Sequence, residues 1–160
     1  MIRTCSPQDA GVLARLIRDS FRDVAERFGL NAENCPRHPS QCGEDWVKRD
    51  MEKGISYFLL EEDGEAAGCA AMDARTPGWC EMERLAVLPR FRGHGLGDAL
   101  VRHVFAQAEA AGIPEVRIGI IDAHAELKRW YLRLGFTETG TRDFPHLPFR
   151  VAFLSRRSAP

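Results

Sequence analysis

The sequence predicts a mixed α+β fold occupying one domain over residues 1-160. Three observations lead there. Apolar residues recur at helical spacing in four segments and at strand spacing in several others, and the two kinds interleave along the chain. Asp63-Gly64 forms a tight-turn signal between two strand-patterned runs, which is a hairpin and therefore antiparallel pairing. No internal repeat, low-complexity tract or linker divides the 160 residues, and a chain of this length buries enough surface to fold without staples.

Ile2 to Cys5 reads as a short first strand. Ser6-Pro7-Gln8-Asp9 reads as a helix start, with Ser6 as N-cap, Pro7 at the first helical position and Asp9 closing an S-x-x-D box. Val12, Leu13, Leu16, Ile17, Phe21 and Val24 then give one apolar stripe, so this helix is expected to run to about Phe28 and end at Gly29. Leu30 to Cys42, with Pro36 and Pro39, is a loop. A short helix over about Glu44 to Glu52 stops at Gly54. Strands follow over Ile55 to Glu62, Ala66 to Asp73 and Trp79 to Leu88. Leu96, Leu100, Val104 and Ala108 define the next helix, closed by Gly112 and Pro114. Glu115 to Ile121 is a strand, and Leu127, Trp130, Tyr131 and Leu134 mark one face of a helix stopped by Gly135. Phe136 to Gly140 and Arg150 to Leu154 are two last strands around the loop Asp143 to Phe149.

The segment with chemical character is Arg90-Phe91-Arg92-Gly93-His94-Gly95-Leu96-Gly97, between a strand end and a helix start. Three alternate glycines leave little bulk there, so backbone N–H groups can approach an anion. The helix dipole favours negative charge at the same point, and Arg90 and Arg92 stand beside it. This is the pattern of a phosphate or pyrophosphate site. It is not a Walker A loop, because Asp98 and Ala99 follow Gly97 where Lys-Ser/Thr is required. Nor is it a dinucleotide fingerprint, because the spacing is G-x-G-x-G and the position is late in the chain.

The pattern R-x-x-G-x-G, with Arg90, Gly93 and Gly95 in its defining positions, resembles the coenzyme A loop of the GNAT N-acetyltransferase superfamily. Trp130-Tyr131-Leu132-Arg133-Leu134-Gly135-Phe136 is similar to a second segment of that family, Y-x-x-L-G-F. The element order β-α-α-β-β-β-α-β-α-β-β also matches. The resemblance implies a mostly antiparallel mixed sheet flanked by helices, and acetyl-CoA as co-substrate. It implies that Arg92, Gly93, His94, Gly95, Leu96 and Gly97 cradle the pyrophosphate. Backbone groups of Leu85, Ala86 and Val87 would align pantetheine where the strand splays at a bulge. His124 stands where many relatives carry a cofactor-contacting asparagine.

Acetyl transfer to an amine asks the protein to position an activated acyl group and to manage protons. By resemblance Tyr131 is the general acid; an ordinary tyrosine stays protonated at neutral pH and can donate to a departing thiolate. The alternative for Tyr131 is packing, since it lies i+4 from Leu127 on an apolar face. The incoming amine must lose a proton, and Glu81 and Glu83, which share one strand face, are the candidate bases, Glu83 being nearer the splay. Each can equally be solvated or paired with arginine. His146, in the stiff loop Phe144-Pro145-His146-Leu147-Pro148-Phe149, can wall the acceptor pocket or simply be a loop residue.

The activity implied is acetyl-CoA-dependent N-acetylation of a primary amine, on a small molecule or on a protein. A non-catalytic acyl-CoA-binding or regulatory module is the alternative, and a nucleotide-phosphate enzyme a third. Net charge is −1 and pI about 6.5, so no global basic field recruits nucleic acid or an anionic membrane. The start lacks an apolar signal region and no stretch reaches a membrane span, and five scattered cysteines make no disulfide framework. A reduced, cytoplasmic setting is expected. Cys35, His38 and Cys42 fall short of a four-ligand site, so no metal is expected. Monomer and homodimer both stay open. Between Phe21 and Asp50, the family's acceptor region, Glu26, Glu33, Glu44 and Asp45 suit a cationic amine, while Arg22, Arg27, Arg37, Lys48 and Arg49 dilute that signal.

Overall fold

A computed structural model describes residues 1–158 of the chain and contains the expected elements in the expected order. These are β1 (Ile2–Thr4), α1 (Ala10–Phe28), α2 (Glu44–Glu52), β2 (Ser56–Glu62), β3 (Glu65–Asp73) and β4 (Cys80–Val87). After them come α3 (Leu96–Ala110), β5 (Glu115–Ile121), α4 (Ala125–Arg133), β6 (Thr137–Asp143) and β7 (Arg150–Arg157). The strands form one sheet in the order β1-β2-β3-β4-β5-β7-β6. Every neighbouring pair is antiparallel except β4 and β5. The fold is the mixed, mostly antiparallel one expected.

Both faces of the sheet are covered, and the strand sequences show why. Successive strand side chains point to opposite faces. In β2, Tyr57 and Leu59 pack with Leu13, Ile17 and Val47 under α1 and α2. Phe58 and Leu60 face Leu100, Val101 and Val104 of α3 on the other side. A strand buried on both faces reads as a continuous apolar run rather than an alternation. Each such side chain contributes roughly 1.5–3 kcal/mol when fully buried.

Two boundaries differ from the sequence reading. The first helix does not begin at Pro7: residues Pro7–Asp9 make a 3₁₀ turn, and the α-helix starts at Ala10. The Asp9 carboxylate does accept from Ser6 N–H at 2.9 Å, but Arg3 also holds it at 2.9 Å, which anchors the turn to β1. Val12, counted in the apolar stripe, is 49% exposed; the buried stripe is Leu13, Leu16, Ile17 and Ser20. The last two strands also run longer than expected, because β6 and β7 continue pairing to Asp143↔Arg150 and β5 and β7 to Glu115↔Arg157. Strand β6 is exposed along its length, so it carries no apolar alternation to betray its extent.

Two features of β4 position the candidate site. Its pairing with β5 is confined to Cys80↔Val116 and Glu81↔Arg117, and beyond these the two strands diverge. Its pairing with β3 shifts register between Cys69 and Ala71, opposite Glu83 to Ala86, and Arg84 there has φ +51°. This is a β-bulge at the splay point.

Candidate active site

A cleft of about 490 Å³ opens where β4 leaves β5. One wall is α1, through Ser20, Phe21 and Val24. The floor is Leu85, Ala86 and Val87 of β4. The far side is the glycine loop with the starts of α3 and α4, through Leu96, Gly97, His124, Leu127 and Trp130.

The loop has the geometry of an anion cradle. Gly93 and Gly95 have φ +80° and +78°, a left-handed conformation that side-chain-bearing residues enter at about 1–2 kcal/mol cost. Alternating conformations of this kind turn successive N–H groups to one side. Among the described residues, nothing accepts from the backbone N–H groups of Gly93 to Asp98; the next amide, Ala99, bonds Gly95 O at 3.0 Å. These donors sit at the positive end of a fifteen-residue helix. A Cβ on Gly97 would stand 3.2 Å from the Trp130 ring, so glycine there lets α3 and α4 close on each other.

The side chains around the loop are less free than the sequence suggests. Arg92 lines the cleft, but its guanidinium donates to Val87 O (3.0 Å), Ser20 O (2.7 Å) and Asp23 (2.7 Å). It works as a strap from the loop to α1. Arg90 is paired with Glu65 and lies outside the cleft. His94 is exposed and does not line the cleft. His124 caps α4, its Nδ1 accepting from Leu127 N–H at 3.4 Å, which leaves Nε2 to carry the ring proton. Burial lowers its pKa, so the ring stays neutral at pH 7. The Ser20 Oγ is buried and finds no partner among the described residues. Six unpartnered amides, a neutral histidine and an orphaned hydroxyl fit a ligand with a diphosphate and a polar arm.

At the bulge, strand alternation breaks. Met82 joins the core under α3, and Leu85 and Val87 pack against the same core, whereas Arg84 meets Asp50, Tyr57 and the Trp46 ring on the α2 side. Glu83 therefore stands on the same face as Arg84, where plain alternation opposes them. Burial first, then Glu81, raises the Glu83 pKa to about 7. Burial and Asp73 raise that of Glu81 as well. Neither carboxylate makes a salt bridge among the described residues, so neither is the arginine-paired surface residue that strand glutamates often are.

Tyr131 is 5% exposed and packs edge-to-face on Trp130 and Phe136. Burial pushes its pKa up. It does not line the cleft; Trp130 and Leu127 of the same helix do. Its hydroxyl makes no hydrogen bond among the described residues. The structure thus brings together Leu85, Ala86, Val87, Arg92, Gly93, Gly95, Leu96, Gly97 and His124, and leaves Glu81, Glu83, Tyr131 and the His94 side chain outside that wall. Ser20 escapes the sequence reading, which has Trp130 as part of a helix face and a motif, not as a residue of the cleft. A lone serine in the stripe from Leu13 to Val24 was the available signal.

His146 is exposed beside Phe144, but Leu147 and Phe149 of its loop pack on Leu30 and Cys35. The late loop and the segment after α1 therefore meet. Cys35 belongs to that cluster and Cys42 to the one under α1, while His38 Nδ1 is 2.7 Å from Ser40 Oγ. Among the described residues no group of three or more metal-ligating side chains converges, and no helix is long and apolar enough to cross a membrane.

Comparison with known proteins bears on the family and the fold. The Acetyltransferase (GNAT) family model matches residues 16–136. An uncharacterized N-acetyltransferase of Schizosaccharomyces pombe is 36% identical over 139 residues, 83% of this chain and 79% of that protein. An amino-acid acetyltransferase of Ralstonia nicotianae is 34% identical over 113 residues, 69% of this chain, but the match spans only 24% of that longer protein. Among solved structures, PaiA N-acetyltransferase from Thermoplasma acidophilum, in complex with coenzyme A, superposes with a TM-score of 0.82 at 16% identity. That match covers 99% of this chain and 98% of the other, and shows a shared fold.

Proposed function

The chain belongs to the GNAT acetyltransferase family, and from that premise we propose that it transfers acetyl from acetyl-CoA to a primary amine. One observation carries the proposal. The unpartnered amides of Gly93 to Asp98, on two left-handed glycines at a helix N-terminus, open onto the cleft beside the diverging strands β4 and β5.

Gly93 to Asp98 bind the diphosphate through backbone N–H groups, with no lysine or metal in that role. Leu85 to Val87 orient the pantetheine arm by their backbone groups on the side β5 has left. When bound, acetyl-CoA supplies an acetyl group already activated as a thioester, so that a C–N bond to the amine forms as the C–S bond breaks and the thiol retains one of the amine protons.

Glu83 takes the other proton. An amine with a pKa near 10.4 is neutral in only about one molecule in two thousand at pH 7, a deficit of about 4–5 kcal/mol. A carboxylate with a pKa of about 7 is half ionised at that pH and is a much stronger base than an exposed glutamate. Glu81 adds negative potential beside it. Tyr131 keeps its proton, and although it does not line the cleft, its hydroxyl has no hydrogen bond among the described residues and is the donor the family resemblance assigns to the leaving sulfur. Its raised pKa makes outright proton donation to a thiolate uphill, so positioning is the larger part of its role. The five cysteines are all free, which supports a reduced, cytoplasmic setting.

The test has two steps. Acetyl-CoA should raise the melting temperature, and addition of amines should then release free thiol. A thermal shift without thiol release over a broad amine panel supports the non-catalytic module instead.

A further inference from the structure

A second cavity, of about 410 Å³, lies on the α2 side of the bulge, and its charge is lopsided. Arg37, Arg49, Lys53 and Arg84 line it together with Trp46, and Asp50 is the one carboxylate in its wall. Asp50 is already spent: it accepts from Tyr57 O–H at 2.6 Å and pairs with Arg84. Arg37 and Lys53 make no ion pair among the described residues, and the partner of Arg49, Asp45 at 3.3 Å, stands outside the wall. Of the acidic residues that suggested a cationic acceptor, Glu44 is paired with Lys48 at 3.0 Å and Asp45 with Arg49 at 3.3 Å, and none of the four lines this cavity.

The cavity and the coenzyme A cleft meet at consecutive residues of β4, Arg84 in the wall of one and Leu85 in the wall of the other. Glu83 lines neither, but the bulge puts it on the same face as Arg84. A ligand seated against Arg37 and Lys53 thus lies on the Glu83 side of the strand.

We propose that the acceptor is a free amino acid: its carboxylate binds Arg37, Lys53 and Arg49, its side chain lies on Trp46, and its amine reaches Glu83. This rests on the acetyltransferase reading and names its substrate class. The chemistry is balanced as above, since the amino group loses two protons, one to Glu83 and one retained by the thiol, and gains the acetyl carbon. Exposed cations recognise a carboxylate without a partner in the fold, whereas a polyamine or a lysine side chain would meet like charges at each of these positions. The two unpaired cations also lie on the surface, so replacing them leaves the core intact.

The experiment measures thiol release from acetyl-CoA with the common amino acids, each beside its carboxamide, and with spermidine and a lysine-containing peptide. At least one free amino acid should exceed its own carboxamide by about tenfold or more in kcat/KM, the equivalent of one lost charge contact. Lys53→Met and Arg37→Met should each raise KM for that amino acid about tenfold with kcat little changed, while the acetyl-CoA thermal shift persists. Preference for spermidine, the peptide or the carboxamides overturns the inference and leaves acetyl transfer standing. If no amine releases thiol, the transfer reading fails, and calorimetry in the presence of coenzyme A decides this one. Amino-acid binding that is lost in Lys53→Met supports it, and no binding overturns it.

Discussion

Glu83 has a carboxyl whose proton affinity depends on where the bulge leaves it. Because its pKa rises to about 7, its ionised form is the disfavoured one in the folded chain. The penalty is absent below about pH 4.5, where the group is neutral folded or unfolded, and grows as pH rises to about 7. Glu83→Gln should therefore be more stable than the parent at pH 8, by on the order of 2–3 kcal/mol, in denaturant melts. The same substitution should lower kcat/KM about 10²-fold and abolish the limb of the pH–rate profile that rises through about pH 7. A variant that keeps that limb would remove Glu83 as the base. Tyr131 offers the complementary test. Its hydroxyl makes no internal hydrogen bond, so Tyr131→Phe should leave the melting temperature and acetyl-CoA affinity nearly unchanged. If the hydroxyl serves the leaving sulfur, kcat falls about 10²-fold; an unchanged kcat marks a core residue and nothing more.

At the scale of elements, the glycine loop, β4 and α1 behave as one unit. Arg92 ties the loop to the Ser20 carbonyl and to Asp23, so its charge holds α1 in place as one wall of the cleft rather than reaching toward a ligand. Gly95 meets nothing within 4 Å where a Cβ would go, so its side-chain space opens outward, and its φ of +78° is the constraint. Gly95→Ala should fold with a loss of about 1–2 kcal/mol. Relief of that strain turns the N–H groups away, and the acetyl-CoA thermal shift should collapse. At a ligand concentration about a hundredfold over Kd the parent gains about 2.7 kcal/mol, which a thermal scan resolves. A full shift in the folded variant would show that the amides are not the anchor.

For the whole molecule, two groups of carboxylates pull stability in opposite directions with pH. Asp9, held by Arg3, and Glu126, held by Arg27, have pKa values lowered to about 2, and Arg75 and Arg117 lower those of Asp73 and Glu115. Stability from these is present above their unfolded pKa and is lost as pH falls toward 2. Glu83 and Glu81, raised by burial, act the other way from about pH 4.5 upward. Burial lowers the pKa values of His38, His103 and His124, which favours their neutral form in the folded chain and adds stability as pH rises toward 7, so the Glu83 contribution is read as a difference. The melting temperature should rise from pH 2 to about pH 5, and that of Glu83→Gln should gain on the parent between pH 5 and 8. A gap that does not widen with pH would contradict the burial assigned to Glu83.

Local rules determined much of this protein from its sequence. The helix from Leu96 to Ala110, the hairpin about Asp63-Gly64 and the glycine loop were legible because turn chemistry, periodicity and spacing act between near neighbours. The Arg90 and Tyr131 motifs pointed to the family for the same reason. Long-range pairing decided the rest. Whether a strand glutamate is solvated or half neutral depends on the bulge, and the bulge depends on how β3 and β4 register across fifteen or so residues of intervening chain. Whether an arginine meets a ligand or a carboxylate depends on which helix packs beside it: Asp23 claims Arg92 and Glu65 claims Arg90, while Arg37 and Lys53 are left without one. Charges counted along Phe21 to Asp50 sum to an ambiguous balance. Only folding pairs Glu44 with Lys48 and Asp45 with Arg49 and leaves Arg37 unpaired in the wall of a cavity, because ion pairing depends on distance in space and not on position in the chain.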